Sequence, residues 1–108
     1  MPDFFDIELR VGEIVKAETF AEAKKPAYKL WINFGEALGI KTSSAQITSL
    51  YTTKMLIGKL VIAVTNLEPK QVGPFISEVL LLGVNGKNVG DIILIAPEDK
   101  ADIGNRVH

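Results

Sequence analysis

Ser77 and Glu78 stand side by side at the head of the run Phe75-Ile76-Ser77-Glu78-Val79-Leu80-Leu81-Leu82-Gly83, which otherwise reads as a fully buried strand. Burying an ionised carboxylate without partners costs several kcal/mol. Glu78 is therefore expected at the rim of a pocket or inside a defined set of donors. In the first case it accepts hydrogen bonds from a peptide N–H or a basic side chain, with Ser77 beside it. In the second it accepts from Ser44, Gln46 or Asn66 and organises the chain around it.

Other residues carry related chemistry. Thr42-Ser43-Ser44-Ala45-Gln46 gathers short donors and acceptors at a strand-to-helix junction. Such a segment can hold a ligand's backbone or phosphate, or it can cap a turn. Asn66 breaks an apolar strand shortly before Pro69, where its amide can bond backbone groups on both sides. Lys70, Gln71 and Phe75 flank the next loop as a basic and aromatic surface. Trp31 lies on the face opposite Tyr28, Leu30 and Ile32, and an exposed Trp often anchors an interface or a peptide. Lys24-Lys25 reads as the solvated tip of a polar turn.

Composition removes several classes. Twelve basic against thirteen acidic residues leave a net charge of −1, which argues against a generic polyanion binder but not against a local basic patch. There is no cysteine, and the only histidine is the terminal His108, so disulfides, thiolate metal sites and Ser-His or Cys-His catalysis are not expected. No cofactor loop, metal-ligand spacing or carboxylate pair is present, so the expectation is a protein without catalysis, cofactor or metal. Neither a signal pattern nor an apolar run of the ~20 residues that cross a bilayer is found. A cytoplasmic location without membrane insertion follows as the default.

The elements that must position these residues are mostly strands. A length of 108 residues with 47% apolar content suits one folded domain. Ile7, Leu9 and Val11 alternate with polar residues, and Gly12 is the expected bulge or bend before Ile14-Val15. Tyr28 to Phe34 alternates again, and Leu38 to Thr42 gives a short third strand. From Ser43 to Ile57 the apolar spacing turns helical, with Thr52 or Thr53 as cap and Gly58 as stop. Leu60 to Leu67 reads as a central strand, and Lys70 to Pro74 as a loop. Phe75 to Val84 and Ile92 to Ala96 are the last strands, joined by an Asn- and Gly-rich turn. The pattern predicts an all-β OB-fold Greek-key barrel with a short helical insertion after the third strand and extra terminal segments; an SH3-like barrel is the alternative.

Asp6-Ile7-Glu8-Leu9-Arg10-Val11-Gly12-Glu13-Ile14-Val15 resembles the opening of the tRNA-binding domain at the C-terminus of many methionyl-tRNA synthetases. Gly58-Lys59, Val61 to Leu67 and Pro69 resemble its fourth-strand motif, and the likeness runs from about Asp6 to Val107. Within that superfamily, Lys29 to Gly35, Gly39 to Thr48 and Ser77 to Gly83 look like the CsaA type of export-related chaperone. Synthetase-type domains typically read Ser-Glu-Gly-Met-Leu-Leu where this chain has Ser77-Glu78-Val79-Leu80-Leu81-Leu82.

The resemblance implies a homodimeric OB-fold protein, without enzymatic activity, that binds unfolded or exported polypeptides. Ser43, Ser44, Gln46, Asn66, Phe75, Ser77 and Glu78 are its candidate peptide-binding residues, with Trp31 as a second apolar contact. The alternative is a structure-specific tRNA-binding protein using Arg10, Lys29, Lys41 and Lys70. Phe4-Phe5 and Ile103 to Val107 are the candidate dimer contacts.

Overall fold

One long strand, β1 (Leu9–Thr19), serves both halves of the barrel in the computed structural model, which describes residues 6–108. Its first half pairs with β4 (Leu60–Val64) and its second half with β2 (Tyr28–Asn33). β3 (Ile40–Ala45) continues from β2, and β7 (Leu80–Leu81) from β4, giving the antiparallel order β3-β2-β1-β4-β7. The ends meet where the N–H groups of Glu78 and Val79 both donate to the Thr42 carbonyl, at 2.8 and 3.2 Å. The result is the expected all-β OB-fold barrel. Two hairpins ride on it: β5 (Lys70–Val72) with β6 (Phe75–Ser77), and β8 (Gly83–Asn85) with β9 (Ile92–Leu94).

The bulge is not at Gly12. That residue pairs regularly with Val61, and the register shifts between Ile14 and Lys16, leaving Val15 as the extra residue. Gly12 is required for another reason, since an added Cβ would lie 2.5 Å from Ile32 and 2.8 Å from Phe34. Gly12 and Ile14 face the core before the bulge, and Ala17 packs against it afterwards. The alternation of Ile7, Leu9 and Val11 is half-buried as expected only in part: Val11 is buried opposite Ile62 and Leu9 half-buried opposite Val64, whereas Ile7 is exposed. The core itself is built by Ile14, Leu30, Ile32, Phe34, Leu56 and Val61, all 0% exposed.

The helical insertion is shorter than its spacing suggested. Ser43, Ser44 and Ala45 finish β3, and only Thr53–Leu56 forms α1. Thr52 does cap it, its hydroxyl accepting from the Met55 N–H at 3.2 Å, and Gly58 follows at a φ of 85°. Leu60 to Leu67 ends as a strand at Val64, and Phe75 to Val84 is broken into β6, β7 and the start of β8. The tail is not a free arm. Gly104, Asn105 and Val107 bond the backbone of Leu9 and Val11, covering the length of β1 that β2 leaves unpaired. No helix among the described residues is long and apolar enough to cross a membrane.

Candidate functional site

β3 carries the polar cluster, and its outer edge explains Ser77 and Glu78. Alternate N–H groups of an edge strand point outward and need acceptors. Glu78 Oε1 takes two bonds from Thr42, one from the N–H at 3.0 Å and one from the hydroxyl at 2.9 Å. Ser77 Oγ accepts from the Ser44 N–H at 3.0 Å. The two side chains thus stand in for the backbone of a partner strand. The Thr42 hydroxyl is also 2.7 Å from the Ile76 carbonyl oxygen. Glu78 is not buried: its side chain is 36% exposed, with Lys41 Nζ 4.0 Å from Oε2. Its donors are Thr42 and not the expected Ser44, Gln46 or Asn66.

The remaining candidates divide among several places. Ser43 is 1% exposed and faces the core beside Leu30, so its side chain is out of reach of a surface ligand. Ser44 and exposed Gln46 line an open groove of about 300 Å³ whose other walls are Ala45, Ile47, Leu80, Leu81, Gly83, Ile92 and Leu94. Leu80 is 51% exposed at its side. Asn66 lies on the surface and acts as a clip: its Oδ1 accepts from the Glu8 N–H and its Nδ2 donates to the Asp6 carbonyl, at 2.9 and 2.8 Å.

Phe75 belongs to a third place, on the outer face of β1 and β2. Its ring meets Phe20 and Trp31 edge to face, each with centroids 5.7 Å apart. Lys29 Nζ stands 5.6 Å from the Phe20 ring and 5.8 Å from the Phe75 ring, and Lys16 Nζ stands 4.5 Å from Trp31. Lys16, Glu18 and Phe20 carried no motif in the sequence. Their signal is visible only with the pairing, which sets Lys16 opposite Trp31 and Glu18 opposite Lys29.

The basic candidates differ in their surroundings. Arg10 is drawn into the fold, with Nε 3.1 Å from Glu8 Oε2 and Nη1 donating to the Gly104 carbonyl at 2.7 Å. The hydrogen bond from Arg10, and then that from the Thr65 hydroxyl, hold the Glu8 carboxyl below its ordinary value. Lys41 is beside Glu78, and Lys70 is exposed on β5. Of the candidate dimer contacts, Phe4-Phe5 lies outside the described residues. Ile103 and Val107 are half-buried in the tail that pairs with β1.

An OB-type barrel with a groove beside β3 and an aromatic, lysine-bearing outer face defines a small binding domain. The family model for the tRNA binding domain matches residues 9–106, and the chain belongs to that family. Two solved structures place it with the CsaA type. The chaperone CsaA of Bacillus anthracis is 44% identical with a TM-score of 0.89, covering 100% of this chain and 99% of its own. The CsaA chaperone protein of Picrophilus torridus is also 44% identical, with a TM-score of 0.88 and both chains covered in full. Among methionine–tRNA ligases, that of Sorangium cellulosum is 38% identical over 106 residues. The match takes in 98% of this chain but only 15% of that ligase's length.

Proposed function

We propose that this protein is a non-catalytic, cytoplasmic, homodimeric holder of unfolded or exported polypeptides. The observation that carries the reading is the groove beside β3, where Ile47, Leu80, Leu81, Ile92 and Leu94 form apolar walls and Ser44 and Gln46 a polar rim. An extended segment would seat one apolar side chain there and bond its backbone to the rim. Ser77 and Glu78 act on this groove indirectly, by fixing β3. Burying one Leu or Phe side chain yields about 1.5–3 kcal/mol, so a single groove holds its client weakly and releases it without ATP. Two grooves in a dimer would raise the hold by avidity. The likeness to solved CsaA chaperones supports the same class.

The test is fluorescence anisotropy of a labelled, extended apolar peptide. Leu80→Asp, on the exposed groove wall, should weaken binding by about tenfold or more. Equal affinity in a folded L80D variant removes the groove from the reading.

A second reading, tRNA binding, is favoured by the family and by the lysines set among aromatic rings on the outer face of β1 and β2. It requires affinity for tRNA that falls steeply with added salt. A gel-shift titration at two salt concentrations measures this, and absence of binding at low salt rejects it.

A further inference from the structure

Glu18 forms ion pairs with both lysines of the aromatic face, 3.3 Å from Lys16 and 3.8 Å from Lys29. Its carboxylate therefore marks the position where an anion is held by two ammonium groups. All three side chains are accessible, Lys16 at 57%, Glu18 at 45% and Lys29 at 23%. Exposed pairs of this kind are weak and screened by salt, so the internal anion is readily displaced.

We infer that this face binds unpaired nucleotides of RNA, a phosphate taking the place of the Glu18 carboxylate between Lys16 and Lys29, and a base stacking against Trp31. The inference deepens the tRNA-binding reading and rests on it. Three features select the ligand. The trio carries one more positive than negative charge on a chain whose net charge is −1, so attraction for an anion is local. Trp31 and Phe75 are only half-buried and lie directly beneath the cations, which suits alternating phosphates and planar bases. An acidic peptide could replace Glu18 but has no plane to stack.

The arrangement is a product of the bulge at Val15. Without the extra residue Val15 would stand opposite Trp31, and Lys16 would turn to the core face. Glu18 then acts as a threshold, because any incoming phosphate must compete with a carboxylate already in place.

Trp31 is the only tryptophan, so its emission reports on this face directly. An oligouridine of about 12 nucleotides, within the span of one OB fold, should quench it. The affinity should fall with a log–log salt slope of about −1.4, as expected for two phosphate contacts on a single strand. Glu18→Gln should tighten the complex by up to about tenfold, and Lys16→Gln with Lys29→Gln should abolish the quenching. Thermal melts of each variant verify the fold. If wild-type protein binds tRNA while Trp31 emission and the E18Q affinity stay unchanged, the site is overturned and the tRNA reading survives. If an acidic peptide or an RNA duplex quenches as well as the oligouridine, the ligand class is overturned. If tRNA does not bind at low salt, both fall.

Discussion

Glu78 and Thr42 are joined by three hydrogen bonds across the seam of the barrel, and Val79 adds a fourth to Thr42. The carboxylate accepts from the Thr42 N–H and hydroxyl, and the Glu78 and Val79 N–H groups both donate to the Thr42 carbonyl. The carboxylate of this acidic residue is thus engaged in closing the sheet, on the opposite side of β3 from the strand that it pairs with. Glu78 and the groove are coupled through β3, because Thr42 and Ser44 lie on one short strand.

Truncating Glu78 should therefore loosen the seam. Glu78→Ala leaves the Thr42 N–H without its acceptor, while the hydroxyl keeps the Ile76 carbonyl, at an expected cost of about 1–3 kcal/mol. Glu78→Gln retains a carbonyl acceptor and should lose much less. Urea denaturation of the two variants measures the difference, and equal stability would show that water replaces the carboxylate without cost.

Ser43 predicts the opposite sign. Its hydroxyl is buried without a hydrogen-bond partner, in a core position facing Leu30. Ser43→Ala removes that group and should stabilise the fold by about 1 kcal/mol, or raise Tm by about 4 °C. A fall in Tm would mean that the hydroxyl is satisfied in solution.

Acid should weaken the clasp at the start of β1. The Glu8 carboxyl lies below its ordinary value of 4.5 because Arg10 and Thr65 bond its charged form. A lowered carboxyl contributes stability that is complete above the ordinary value and is lost as pH falls through the folded one. The Tm difference between wild type and Glu8→Gln should be constant above about pH 4.5 and shrink below it. A difference independent of pH would separate the clasp from Glu8 ionisation.

The dimer can be tested by light scattering, which should return twice the 11.8 kDa of the chain. Ile93, Ile7 and Ile95, outside the groove, are 45, 45 and 39% exposed, apolar surface that a second copy would cover. A monomer at all concentrations would reject the assembly and the avidity that depends on it.

Much of the barrel was legible because its strands alternate or run apolar without interruption. Tyr28 to Phe34 and the buried stretch Val61 to Val64 needed no tertiary information. The bulge was not, since Ile14-Val15 are both β-branched and carry no mark of phase, whereas Gly12 offered a misleading one. The hairpin of β5 and β6 hid behind Gly73-Pro74 and a strand of only three residues. The surroundings of Glu78 are hidden because the apolar residues after it read as one continuous buried strand, whereas Leu80 faces solvent. The aromatic cluster joins Phe20 to Phe75, two residues that only the folded chain brings together.

The extra residue at Val15 also gives β1 two independent grammars. Up to Ile14 the strand is constrained by β4 and by the close packing at Gly12, where even a methyl group is excluded. From Lys16 onward, every second side chain meets solvent and can vary without disturbing that packing. Descendants of this chain can therefore exchange the charges at 16 and 18, and with them the ligand preference, while the barrel is inherited intact.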